Sequence, residues 1–185
     1  RIEGERKPAS FSAMLEGLHF VRSKTLIWST MLLDFFATFF AEATILLPVF
    51  AKDILHIGPE LLGFLYAAPF IGATLMGFAA ATIGKRINTG SVLLWSVVAY
   101  AAGMILFGVS TNYTMSLMAL VIVGAGDGMS AVIRNIIRQL STPDHIRGRM
   151  TAINQIFYTG GPRLGEVEAG ILAGLVGAPV SVVIG

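Results

Sequence analysis

Residues 158–174 read YTGGPRLGEVEAGILAG. They lie between apolar runs and end in one, yet Arg163, Glu166 and Glu168 stand beside Gly160, Gly161 and Pro162. Taken as a soluble loop, the stretch interrupts a membrane domain. Taken as a bilayer-crossing helix, it carries charge where charge is expensive. The rest of the chain decides between the two.

Working outward, four segments read as membrane spans: 26–50, 61–83, 91–109 and 113–133. Each approaches or exceeds the roughly 20 residues that a helix rising ~1.5 Å per residue needs to cross a ~30 Å hydrocarbon core. Short polar connectors separate them. A fifth candidate, 150–175, contains the opening stretch, and 179–185 would begin a sixth. Lys and Arg then settle the topology. Segment 1–25 has five, the next connector one (Lys52), the next two (Lys85 and Arg86) and "STNY" none. The connector after the fourth span has four (Arg134, Arg138, Arg147 and Arg149), and "VGAP" none. This alternation is what the positive-inside rule predicts, and it holds only if 150–175 crosses. The expected fold is therefore all-α: a polytopic transmembrane helix bundle of five full spans plus the start of a sixth. Its N-terminus is placed in the cytoplasm and the bundle in the cell (inner or plasma) membrane.

Composition agrees. Of 185 residues, 55% are apolar and 13% charged, about half the charge of a soluble domain (~25%), and mean hydropathy is +0.75. Glycine, with 21 copies, suits close packing between transmembrane helices. The net charge of +2 comes with no basic patch interleaved with aromatics, so nucleic acid is not an expected partner. There is no cysteine, which excludes disulfides and thiolate chemistry. His19, His56 and His145 fall in connectors without metal-ligand spacing, and no Walker motif is present, so neither metal nor cofactor is expected. The polar opening "RIEGERKPAS" is no signal peptide, and the chain reads as starting inside something larger. Within the linker 1–25, Phe11, Met14, Leu15 and Leu18 fall at helical spacing. They predict either an amphipathic helix on the cytoplasmic membrane face or an extension of the first span.

Charges inside spans face a bundle interior or a water cavity, because one at mid-bilayer costs roughly 2.5–3.5 kcal/mol on insertion scales. Here they are Asp34 and Glu42 in the first span, Asp127 in the fourth with Arg134 at its cytoplasmic end, and Arg163, Glu166 and Glu168 in the fifth. The second and third spans have none. Asp127 and Arg134, seven apart, share a helix face. Arg163 and Glu166, three apart, can pair directly. Each pair reads either as an ion pair that neutralises itself while locking helices, or as a switch. Asp34 has no partner nearby in sequence, which makes it the first candidate for proton coupling or a cavity role. Asp127 follows, then Glu42. Gly124 with Gly128, Gly161 with Gly165 and Gly170 with Gly174 have the small-xxx-small spacing that brings helix backbones together. Pro162 after two glycines predicts a kink beside charge, an arrangement found at transporter sites.

Residues 141–185 then show a resemblance. Pro143, Asp144, Arg147, Gly148 and Arg149 form a Pro-Asp-x-x-Arg-Gly-Arg segment, followed by Leu164, Gly165, Glu166 and Glu168 in Leu-Gly-Glu-x-Glu. In this order, with the first span "DFFATFFAEATILLPVFAKDIL", they resemble the C-terminal half of the major facilitator superfamily, in its enterobactin (siderophore) and drug exporter branch. The resemblance covers nearly the whole chain. It implies that 1–25 ends the linker between two six-helix halves, and that the spans are helices seven to eleven with the start of helix twelve. It implies a missing N-terminal half as partner. Gly77, Gly84, Lys85 and Arg86 fit the family's cytoplasmic loop after the eighth helix, but Ala81 and Thr82 replace its Asp and Arg, so Lys85 and Arg86 also read as positive-inside anchors. The implied function is secondary active efflux of small amphipathic molecules by alternating access, with protons as coupling ion and no enzyme activity. A non-transporting membrane scaffold or assembly subunit is the alternative.

Overall fold

The computed structural model describes residues 11–40, 44–83 and 89–185, and every regular element among them is helical. Seven are labelled here: α1 (Phe11–Ser23), α2 (Thr25–Phe40), α3 (Pro59–Ile83), α4 (Thr89–Gly108), α5 (Tyr113–Ser141), α6 (Asp144–Val176) and α7 (Ala178–Ile184). Four stretches are long and apolar enough to cross a membrane: Thr25–Ile54, Pro59–Thr82, Thr89–Val109 and Tyr113–Ser141. α6 is the longest helix, 33 residues or about 50 Å at ~1.5 Å per residue. Its polar residues keep it out of that apolar set.

Boundaries follow local chemistry. Within the expected first span, the described residues beyond α2 form a 3₁₀ turn at Thr44–Leu46, a short α-helical turn at Leu47–Val49 and a π-helical turn at Phe50–Ile54. Pro48 sits in the first turn of this piece, where its missing N–H is no loss. The piece ends at His56, which adopts a left-handed φ of 50° with its imidazole Nδ1 3.0 Å from the Lys52 carbonyl. Between α6 and α7, Gly177 has φ 87°, a conformation that side-chain-bearing residues rarely adopt. At the other end of the apolar hairpin, the Asn112 side chain accepts hydrogen bonds from the Thr114 and Met115 amides and caps α5. Asn112→Ala should cost about 1 kcal/mol, the usual value of an N-cap, read as a lower thermal midpoint in detergent.

Packing sorts the helices into two groups, bridged by α7, which packs on α4 as well as on α6. α5 lies against α3 and α4, while α6 lies against α2, α1 and α7. The larger core joins Leu46, Phe50, Leu65, Phe107, Leu120 and Val182, with the rings of Phe50 and Phe107 stacked at 4.4 Å. A second core, Val21, Ile27, Met31, Met150 and Ile153, binds α1 and α2 to the first turns of α6. Between the two groups α2 and α5 approach at few points. On the outer faces of α3 and α4, Phe78 and Trp95 are each more than 70% exposed. Side chains of this kind belong against lipid, where closed backbone hydrogen bonding makes helices the natural spanning form. The chain is a multi-pass helical membrane protein.

Candidate functional site

The charges of the apolar helices converge where α2 meets α5. On α5, Asp127, Ser130, Arg134 and Arg138 recur at spacings of three, four and four and so share one face. On α2, Asp34 faces them and is buried to 2% exposure. Arg134 Nη2 lies 2.9 Å from Asp34 Oδ1, and Arg138 Nη1 lies 3.2 Å from Asp34 Oδ2. Both arginines are themselves buried. Arg134 also donates from Nη1 to the Ser130 hydroxyl, and Arg138 Nη2 donates to Asn135 Oδ1 at 2.9 Å. One carboxylate against two guanidiniums leaves a surplus positive charge. Asp127 offsets it, with Oδ1 3.4 Å from Arg134 Nη2.

Satisfaction inside the cluster is incomplete. The 2.9 Å contact at Asp34 Oδ1 is a charge contact with no N–H directed at the oxygen, and Arg134 Nε has no partner. Two carboxylates and two guanidiniums balance in formal charge, but the hydrogen bonds do not close. An unpaired polar group is costly in a low-dielectric interior, so both atoms stand to gain from a partner.

Asp127 also faces the other way. Its side chain is half exposed, and it lines a cavity of about 660 Å³ enclosed by α2, the 44–47 turn and α3–α6. Apolar walls come from Leu47, Phe70, Met104 and Val123; polar groups come from Thr38, Tyr100, Tyr158, Arg163 and Glu166. An apolar pocket with a few convergent polar groups suits an amphipathic small molecule. Arg163 Nη1 sits 3.3 Å from both Glu166 carboxylate oxygens, joining adjacent turns of α6 at the cavity edge. Pro162 lines the same cavity, and α6 continues as one helix through it.

The remaining residues singled out by the sequence are scattered. Glu168 borders a separate shallow groove with Phe39, Leu164 and Ile171. Asp144, Arg147, Gly148 and Arg149, expected to precede the helix, form the first turns of α6. There Arg147 Nη2 and Asp144 Oδ1 pair at 2.6 Å in solvent, while Arg149 and Ile153 abut Gly17 of α1. Glu42, Gly84, Lys85 and Arg86 lie outside the described residues. Among the described residues no group of His, Asp and Glu is arranged to hold a metal ion. The participants that sequence reasoning missed are Arg138, Asn135 and Ser130. The apolar window ends near Ile133 and leaves Arg138 in a connector, yet α5 runs two turns further. Ile136, Ile137 and Leu140 were the signal for that extension.

A polytopic helix bundle with a buried charge cluster, one member of which opens on an apolar cavity, marks a functional site in a membrane protein. The chain belongs to the transmembrane secretion effector family of the major facilitator superfamily, whose model matches residues 6–185. It is 27% identical to the multidrug efflux pump Tap of Mycolicibacterium fortuitum, over 96% of this chain and 45% of Tap. It is 25% identical to the enterobactin exporter EntS of Salmonella choleraesuis strain SC-B67, over 89% of this chain and 39% of that protein. The EntS of Escherichia coli O1:K1 is 24% identical over 88% of this chain and 38% of its own length. The chain thus spans less than half the length of these relatives. No solved structure matches it.

Proposed function

We propose that the chain is the C-terminal half of a secondary exporter of small amphipathic molecules, drug-like or siderophore-like by likeness to Tap and EntS. Transport proceeds by alternating access and is driven by protons moving inward. In this reading α6 is the fifth span, with Arg163 and Glu166 turned to the cavity, and α7 begins the sixth. α1 lies on the cytoplasmic face of the inner membrane. An N-terminal half of the same transporter supplies the opposite cavity wall.

The observation that carries the proposal is the position of Asp127, with one side on the cavity and the other on Arg134. A proton or cargo arriving in the cavity meets this carboxylate before the buried Asp34. Asp34, also a coupling candidate, bears two buried guanidiniums and serves as their counter-charge. The test is ethidium efflux from proteoliposomes holding the full-length transporter, with an imposed proton gradient, with and without an uncoupler. Asp127→Asn is expected to lower gradient-driven efflux, because intramembrane carboxylates serve as proton relays. Wild-type efflux that ignores the uncoupler would remove proton coupling. Absence of efflux of any probe would favour a scaffold that only pairs charges with neighbouring helices.

A further inference from the structure

We infer that Arg134 is a forked positioning residue. It is shared between the buried Asp34 and the cavity-facing Asp127, and it converts the charge state of Asp127 into the grip of α5 on α2. The functional weight of this device rests on the exporter reading; the device itself rests on geometry.

The two arginines are not equivalent. Arg138 reaches Asp34 and Asn135, neither of which lines the cavity. Arg134 presents the same atom, Nη2, to Asp34 at 2.9 Å and to Asp127 at 3.4 Å. Nη2 carries two N–H donors, but from this position only the one toward Asp127 is directed at an oxygen, and Asp34 Oδ1 is left without a hydrogen bond. While Asp127 is ionised, Arg134 is divided. When Asp127 takes up a proton or pairs with a cationic cargo, its hold on Nη2 weakens and the guanidinium can turn fully onto Asp34 Oδ1. Because α2 and α5 touch at few points, this ionic link governs their separation there more than apolar contact does.

The groups facing Asp127 from each neighbouring element are accounted for. α2 brings Asp34, α4 brings Tyr100, and α6 brings Tyr158, Arg163 and Glu166. α3 brings only Pro69, Phe70 and Ala73, and the 44–47 turn brings Thr44 and Leu47. Arg163 is already engaged with Glu166 on its own helix. Among the described residues Arg134 is the guanidinium in contact with Asp127.

The test reads the α2–α5 distance directly. These 185 residues have no cysteine, so Leu26→Cys on α2 and Leu140→Cys on α5, both well exposed, are the sole labelling sites within them, and any cysteine elsewhere in the full-length protein is first replaced by serine. In the full-length transporter in liposomes, the inter-label distance is measured by pulsed electron resonance from pH 5 to pH 9. It should be shorter and narrower at low pH by about 1–2 Å, the scale of helix shifts in switching proteins. Asp127→Asn should hold the low-pH distance at every pH. Arg134→Lys, which keeps the charge but loses the planar fork, should abolish the shift, whereas Arg138→Lys should retain it. An invariant distance in the wild type overturns the inference, as does a wild-type shift in either Asp127→Asn or Arg134→Lys. Ethidium efflux from the same liposomes separates the two levels. A shift without efflux removes the exporter reading and leaves the fork, and efflux without a shift removes the fork alone.

Discussion

Asp34→Ala is expected to destabilise the folded protein by about 3–5 kcal/mol, the cost of breaking a buried ion cluster from one side. The carboxylate sits between two buried guanidiniums, and no other acidic group among the described residues lies within salt-bridge reach of Arg138. Its removal strands two positive charges in the protein interior, with only Asp127, at 3.4 Å and half solvated, to oppose them. The asymmetry has a stricter form. Replacing the three buried members of the cluster with apolar side chains of similar size, as in the triple variant Asp34→Leu, Arg134→Met, Arg138→Met, should recover most of that loss. Buried ion pairs often contribute little net stability over a well-packed apolar substitute. Asp127→Ala should cost no more than about 1 kcal/mol, since its exposed carboxylate is largely screened. Unfolding in mixed SDS and dodecylmaltoside micelles, followed by circular dichroism, ranks the variants. A triple variant no more stable than Asp34→Ala would mean that the cluster holds the helices by geometry that apolar packing cannot replace.

The sequence made the class of fold legible for a plain reason. Runs of apolar residues near membrane length admit one solution, and the Lys and Arg alternation orders the runs. Which charges meet was not legible. Asp34 is 100 residues from Arg134 and 104 from Arg138 in the chain, and helical periodicity relates only neighbours within a helix. The positive-inside count also misled locally. It treats each cation near a span end as an anchor in water, whereas Arg134 and Arg138 turn inward to a carboxylate on another helix. Asp127 and Arg134 were visible as a pair from their spacing; that the pair is one arm of a fork was not. The 3₁₀ and π turns at Thr44–Leu46 and Phe50–Ile54 were hidden for a similar reason, because they have the same composition as the apolar helix around them.

The glycine pairs show the same limit, and they carry the second large expectation. Gly124→Ala should cost about 1–3 kcal/mol, the range for overpacking a filled interior, while Gly170→Ala should gain up to about 1 kcal/mol from helix propensity. Both glycines begin a small-xxx-small pair, and sequence spacing treats them alike. On α5 a Cβ at Gly124 would collide with the Pro69 backbone, and one at Gly128 would press on Ala73. From the other side, a Cβ at Gly72 of α3 would strike the backbone at Val121 and Ala125. Rigid backbone stands on both sides, so no side-chain rotation relieves the clash, and α3 would have to withdraw from α5. Gly170 and Gly174 on α6 meet nothing within 4 Å. Withdrawal of α3 would also widen the wall of the cavity on which Asp127 opens, since Pro69, Ala73 and Gly124 line it together. Gly124→Ala should therefore weaken binding of a cavity ligand as well as stability, which thermal unfolding with and without ethidium would report. Equal midpoints for Gly124→Ala and the wild type would show that α3 and α5 are not in backbone contact at Pro69.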